Sequence, residues 1–360
     1  MELQYPGPDT DHICIGQVRT GAYATVRFAF AWTNLNLLAE TMHKPGFSTG
    51  QLGEPHLLLL SRYRLPRSWR TGIGPGWDKV LGESPQTAIQ RLRAEGLLVP
   101  SSSRSKLGTF PVKDLKVLLK ERQLPVLGNK DVLIERLVEV HDANLTEKLA
   151  KLDIVECSQE ALDLTRKYLD QKNLEKQAVL GDSLAFLRAE EFAQACWVVA
   201  RYESRQVFPR GIGVDWSRPD ESDIRRLQII FSSQPRILAD LPEKDWEPLR
   251  VAASMMLLWG ANTAKEWLPE DFVGVPRFDS DTAARMLTFH ATHVRDMAIY
   301  REMGVQTATI KACDTSCKAC LWLADKPLPL DDVPELPFYA CTHVMGCRCW
   351  VAPDIPDPLE

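Results

Sequence analysis

Six of the nine cysteines in this 360-residue chain fall between positions 313 and 349. They read Cys313-Asp-Thr-Ser-Cys317-Lys-Ala-Cys320, then Cys341-Thr-His343-Val-Met-Gly-Cys347-Arg-Cys349. A Cys-x-x-Cys turn sets two thiolates on neighbouring corners of a zinc tetrahedron, and a second cysteine group can complete it. The candidate ligands are Cys317 and Cys320 with two of Cys341, Cys347 and Cys349, and Cys313 and His343 stand in reserve. The intervening Leu328-Pro-Leu-Asp-Asp-Val-Pro-Glu-Leu-Pro is too short and proline-rich to bury a core. A structural zinc would supply the missing stability. Disulfides and reduced, packed thiols are the alternatives. Redox catalysis is the weakest of the readings, because no strand–helix junction is indicated around the Cys-x-x-Cys.

The second chemistry is electrostatic. A net charge of −5 argues against a chain that coats nucleic acid with its whole surface. The charge is unevenly placed, however, with fourteen Lys/Arg against five Asp/Glu between Ser61 and Lys130. A basic segment inside an acidic chain is the footprint of a polyanion site. Its upstream members are Arg62, Arg64, Arg67, Arg70, Arg91, Arg93, Arg104 and Lys106. Downstream come Lys113, Lys116, Lys120, Lys130 and Arg136. A solvated basic loop is the plainer alternative.

Helical periodicity positions the downstream group. Val112, Leu115, Leu118 and Leu119 form one stripe, with Lys113, Lys116 and Lys120 largely opposite it. Pro111 suits a first helical turn. Leu124-Pro125-Val126 is extended, because the residue before proline avoids helix, and Gly128 supplies a positive φ. Leu133, Ile134 and Leu137 are the stripe of a second helix. This helix–extended–helix pattern, from Leu107 to Asp142, resembles a SAP domain, a module carried by many DNA- and chromatin-associated proteins. The resemblance implies phosphate contacts from Lys113, Lys116, Lys120, Lys130 and Arg136 that set register and backbone affinity rather than read bases. Two residues depart from the pattern: Gln123 stands where a glycine is usual, and Leu127 where a small polar residue is usual. A hairpin used only for packing is the alternative.

The remaining elements are read more coarsely. Ala22 to Trp32 is a strand or the start of a helix continuing to Met42. Gly72-Ile-Gly-Pro-Gly-Trp-Asp-Lys79 lacks the spacer and hydroxyl of a phosphate loop and reads as a turn. Ser84-Pro85 opens a helix through Ala88, Ile89 and Leu92 that stops at Gly96 before Leu97-Leu98-Val99-Pro100. Such a helix, turned by glycine towards a wing, resembles winged-helix-like units over residues 82–100; packing of this element beside the SAP module is the favoured reading. Ser101 to Ser105 reads as a linker. Beyond residue 144 the pattern is helical: Ser158 caps Gln159 to Leu174, a long helix spans Asp182 to Gln206, Asp223 starts another, and Pro248 to Trp259 is buried. Asp281 to Met303 closes the set. Trp197, Trp246, Trp259 and Trp267 are read as core. His290 and His293 are three apart on a helix, with packing favoured over a shared metal.

The tail carries a second resemblance. Tyr300-Arg-Glu-Met-Gly-Val, Cys317-x-x-Cys320-Leu-Trp-Leu-Ala-Asp-Lys-Pro-Leu-Pro-Leu-Asp-Asp and a closing Gly-Cys-Arg-Cys are similar to the C-termini of phage Mu F-like minor head proteins, over Asp281 to Pro353. This implies a head-morphogenesis role in which the SAP module touches packaged DNA. The inserted Cys341-Thr-His-Val-Met, and the SAP module itself, depart from that family.

These readings combine into a mainly α protein with an N-terminal region (1–103), a SAP module (104–143), a helical domain (144–305) and a Cys-rich tail (306–360). No apolar run of 18 residues is present, so no membrane span is expected. The opening residues lack the blocks of a secretory signal, and a cytoplasmic location is the expectation. No serine elbow, His-Glu-x-x-His or catalytic carboxylate pair stands out. The expected function is therefore non-enzymatic binding of DNA, with structural zinc in a tail that engages a protein partner. An enzyme with an unrecognised site in the helical domain is the alternative.

Overall fold

The computed structural model describes residues 52–70, 73–140, 142–211 and 213–354, so the reading made for residues 22–42 lies outside it. The described residues are mainly helical and fall into two compact units that divide between Gln177 and Ala178.

The first unit opens with helix α1 (Glu54–Ser61), strand β1 (Arg67–Ser68), helices α2 (Trp77–Leu81) and α3 (Pro85–Ala94), and strand β2 (Leu98–Pro100). Four helices follow: α4 (Ser103–Gly108), α5 (Val112–Lys120), α6 (Lys130–Glu139) and α7 (Ala143–Ala150). Strand β3 (Ile154–Cys157) and the start of helix α8 (Gln159–Arg188) complete the unit. β3 is the middle strand of an antiparallel sheet ordered β1-β3-β2, with Leu98 opposite Cys157 and Arg67 opposite Val155. Leu59, Leu60, Tyr63, Ile89, Leu92, Leu98 and Val155 fill one core behind it. Ser84 caps α3 by accepting the Thr87 N–H at 3.1 Å, and Pro85 occupies the position where a missing N–H costs nothing. Gly96, at φ +76°, lets Leu97 N–H return to Leu92 O at 2.9 Å and turns the chain into β2.

Residues 101–153 are an insertion between two paired strands. Pro100 faces Val155, and Ser101 N–H donates to Ile154 O at 3.0 Å, so the block leaves and re-enters the sheet at neighbouring points. Ser101 to Ser105 is not a linker. Ser102 accepts the Ser105 N–H at 3.0 Å and starts α4, whose Leu107 is buried. The SAP-like pair α5–α6 therefore does not stand alone. Leu107 of α4 and Leu145 and Leu149 of α7 join Leu115, Leu119, Leu133, Ile134 and Leu137 in a single core. Val112 is exposed rather than inward, and Pro111 precedes α5 as its cap.

The second unit takes in the end of α8 and helices α9 (Phe192–Glu203), α10 (Glu221–Ser232), α11 (Glu243–Trp259) and α12 (Ser280–Glu302). Strand β4 (Thr307–Lys311), helix α13 (Lys318–Leu323), strand β5 (Pro327–Pro329) and strand β6 (Trp350–Pro353) follow, with sheet order β5-β4-β6. The long helix expected from 182 to 206 is two helices. Glu190 takes φ +57°, and the Glu191 N–H reaches back to Phe186 O at 2.9 Å, which closes α8. α11 is the buried helix expected, with Leu249, Ala252, Ala253 and Met255 fully covered. Trp246 and Trp259 are core, whereas Trp197 is largely exposed.

Helix α5 ends by the same device on a less suitable residue. Gln123 adopts φ +56°, with Leu124 N–H on Leu119 O at 2.9 Å and Gln123 N–H on Lys120 O at 3.0 Å. A side chain there costs about 1 kcal/mol relative to glycine. Gln123→Gly is accordingly expected to stabilise the SAP block by about 1 kcal/mol in a denaturant melt. A loss of stability would show that the glutamine side chain contributes more than its backbone strain.

Candidate nucleic-acid interface and metal centre

Helix α5 places its basic side chains by periodicity. At 3.6 residues per turn Lys113, Lys116 and Lys120 fall within an arc of about 60°, turned away from the buried Leu115 and Leu119. All three are exposed, and no acceptor holds any of them among the described residues. Three cations so spaced can meet successive phosphates of a polyanion.

The other expected contacts are partly occupied. Lys130 Nζ donates to Gly108 O at 2.6 Å and ties the start of α6 to the end of α4, whereas Arg136 spans Pro125 O (2.8 Å) and Leu127 O (2.5 Å) and clamps the extended connection against α6. Lys106 is buried, with Nζ on Leu149 O at 2.7 Å, and ties α4 to α7 instead of projecting into solvent. Arg104 is paired with Glu135, and Arg91 with Glu83 at 2.7 Å. Arg93 is exposed, its guanidinium 5.2 Å from the Trp69 ring centroid. Of the five contacts expected on the SAP helices, the three on α5 are thus the ones that no acceptor holds among the described residues.

Arg122 is a structural residue that the sequence reading passed over. Its guanidinium donates to Asp142 Oδ2 at 2.7 Å and to Leu118 O at 2.8 Å. Asp142 also accepts the Asn144 and Leu145 N–H groups and so caps α7. Those backbone bonds, with the Arg122 pairing behind them, hold the Asp142 carboxyl below the usual carboxylate range. Nothing in the local pattern joins positions 122 and 142, which meet only once α5 and α7 are folded.

The five expected metal ligands converge. The sulfurs of Cys317, Cys320 and Cys341 lie within 4.8 Å of one another, as do those of Cys320, Cys347 and Cys349, so Cys320 belongs to both triads. Cys317 Sγ is 3.8 Å from Cys341 Sγ, and Cys320 Sγ is 3.8 Å from Cys347 Sγ. A tetrahedron with zinc–sulfur bonds of about 2.3 Å has edges of about 3.8 Å. None of the described cysteines forms a disulfide. These clustered thiols could hold a metal ion. Cys313 and His343 are outside both triads, and His343 Nδ1 accepts the Met345 N–H at 3.1 Å.

Protons crowd this cluster. Burial raises the Cys317 thiol, but hydrogen bonds from the Thr342 and Cys320 N–H groups outweigh it and bring the value to about 6. Cys347 is drawn down because the thiols of Cys320, Cys341 and Cys349 donate to it, and Cys320 is pushed up by its hydrogen bonds with Cys341, Cys347 and Cys349. Several thiolates this close repel one another unless a cation sits between them.

The cluster is docked on α12. Cys347 N–H donates to Met286 Sδ at 3.2 Å, and Arg277 reaches the Cys341 carbonyl. Gly346, at φ +76°, has no room for a Cβ, which would meet Met286 Sδ at 2.5 Å. His290 is buried and bonds Leu336 O at 3.1 Å through Nδ1, in agreement with a packing role. The tail is therefore less autonomous than its proline content suggests: Cys320, Cys341 and Cys347 belong to the core of α11 and α12.

Residues 106–139 match the family model of the SAP domain. The match covers α5, α6 and their connection, and it implies a nucleic-acid-binding role for the segment. The chain matches no curated protein and no solved structure. Among the described residues, no helix is long and apolar enough to cross a membrane.

The Asp142 clasp has a pH signature. A carboxyl whose folded value lies below its unfolded value of about 3.9 contributes stability above that pH and loses it as pH falls through the folded value. Asp142→Asn, which can still cap α7, should melt earlier than the parent at neutral pH, and the gap should close in acid. A gap that persists at pH 2 would assign the loss to the cap rather than to the charge.

Proposed function

We propose that this protein binds double-stranded DNA through the Lys113–Lys116–Lys120 face of its SAP domain and that structural zinc holds its C-terminal cysteines. The carrying observation is that these three lysines are exposed, without a partner among the described residues, and aligned on one helix of a segment matched to the SAP domain. Lysine is a compact point charge suited to phosphate rather than to base edges, so this face supplies affinity and register. Lys130 and Arg136 act at second hand, Lys130 by tying α6 to α4 and Arg136 by fixing the connection between α5 and α6. The protein acts as a binding protein rather than an enzyme.

Zinc is favoured for the tail because the donor set is all sulfur and tetrahedrally spaced. Cys317, Cys320 and Cys341 supply three corners, and Cys347 or Cys349 the fourth. Thiolate ligands require a reducing compartment, which agrees with a cytoplasmic location. Exposed Trp322 and Val344 beside the cluster are the surface that a protein partner would meet. The head-morphogenesis reading rests on the tail motif alone and ranks second.

Duplex affinity should fall linearly with salt on logarithmic axes, with a slope of about −0.9 per phosphate neutralised. Changing Lys113, Lys116 and Lys120 together to Gln should make that slope shallower by about 2 to 3 and weaken binding at low salt; an unchanged slope places the phosphate contacts elsewhere. Metal analysis of the purified chain should return about one zinc per protein. Cys320→Ser, which breaks both triads, should lower zinc content and melting temperature more than Cys349→Ser. No metal in the parent, or a zinc content that Cys320→Ser leaves unchanged, would remove the zinc site.

A further inference from the structure

The first unit carries a second surface whose chemistry differs from that of α5. Helices α2 and α3 are joined by Gly82-Glu83-Ser84 alone. Gly82 takes φ +70° and returns its N–H to Asp78 O at 3.0 Å, and Ser84 caps the next helix. A three-residue connection with a glycine is the build of a helix-turn-helix. Glu83 locks the turn, accepting Arg91 at 2.7 Å and lying 3.2 Å from His56 Nε2. Ala88, Ile89 and Leu92 of α3 are completely buried, so its orientation on the sheet is set by packing.

The opposite face of α3 is exposed and polar. Gln86, Gln90 and Arg93 fall within an arc of about 60°, and α3 contains no acidic residue. Arg93 does not hang free. It stacks on Trp69, which Arg70 flanks from another direction at 5.0 Å, and Arg70 is itself held by Asp153 at 2.5 Å. A guanidinium supported on an indole gives up little freedom when its fork engages two acceptors.

We infer that α2 and α3 are a DNA-reading helix-turn-helix in which Gln86, Gln90 and Arg93 meet base edges in the major groove. The SAP block then stands where the β2–β3 wing of a winged-helix unit would be. This rests on the DNA reading above and adds sequence specificity to it. The element order α1-β1-α2-α3-β2-β3 and the sheet order β1-β3-β2 support it, since they put the insertion between the last two strands. The side-chain types support it as well. Glutamine brings no charge to a phosphate but pairs bidentately with adenine N6 and N7, and arginine pairs with guanine O6 and N7. A ten-residue helix, about 15 Å long, fits a groove about 12 Å wide. The deep, narrow major groove of A-form RNA would not admit it.

The test uses the full chain on a pool of randomised duplexes, with bound sequences read out and the best site compared with a scrambled one. The expected result is a short motif containing adenine and guanine. Gln90→Ala and Arg93→Ala should each lower the best-to-scrambled affinity ratio about tenfold. Arg93→Lys, which keeps the charge and loses the fork, should lower the ratio as Arg93→Ala does. The triple Lys113, Lys116 and Lys120 to Gln variant should weaken both sites alike and leave the ratio unchanged. These side chains are exposed, so thermal melts should match the parent and exclude misfolding. A parent ratio near one with salt-sensitive binding overturns this inference and leaves the phosphate reading standing. A motif that survives the α3 variants also overturns it. Absence of duplex binding at low salt removes both readings, and preference for RNA or single strands removes the base-reading role.

Discussion

Strand β3 is hydrogen-bonded on both sides, to β1 at one edge and to β2 at the other, although β2 lies more than fifty residues earlier in the chain. Everything in the first unit depends on that pairing. It closes the core around Leu98 and Val155, fixes the end of α3 through Gly96, and brings residues 101 and 153 side by side. The block between them must be self-sufficient, because it begins and ends at one place. It achieves this with α4 and α7, which add Leu107, Leu145 and Leu149 to a core that α5 and α6 alone would leave open.

Two kinds of positive charge emerge from this unit, and the distinction lies in what holds them. Lys130, Arg136, Lys106 and Arg122 bind the protein's own carbonyls and carboxylates, so they are part of the fold. Lys113, Lys116 and Lys120 bind nothing described and are left for a partner. A count of basic residues along the chain cannot separate these groups, since both contribute equally to the local excess. The tail repeats the lesson with sulfur. Its cysteines are core residues packed with α11 and α12 as well as candidate ligands, and a metal there would bind chain segments already brought close by packing.

What could be read in advance follows how local each determinant is. The stripes of α5 and α6, the cap at Ser84 and the extended Leu124-Pro125 segment are encoded within a few residues and are legible in the sequence, whereas the Asn129 cap of α6 emerges only in the structure. The convergence of Cys317, Cys320, Cys341, Cys347 and Cys349 was legible from spacing. Left-handed closures on non-glycine residues were harder. Gln123 was flagged only because a glycine was expected there, and Glu190 gave no sign that 182–206 would split into two helices. The serine run 101–105 misled because serine favours both caps and linkers, and the choice depends on whether Leu107 finds a core. Contacts such as Arg122 with Asp142, or Met286 with Cys347, depend on tertiary assembly and leave no trace in a local window.

An insertion with adjoining ends has a mechanical consequence. Two covalent strands, not one, join the SAP block to the sheet, and a double tether restrains swivelling far more than a single linker does. Were one of the two proposed surfaces to engage a polymer, the other would be confined to a small volume around the next stretch of that polymer, and the second encounter would become intramolecular. Weak individual contacts would then sum to an avid clasp whose geometry is set by a two-strand ribbon.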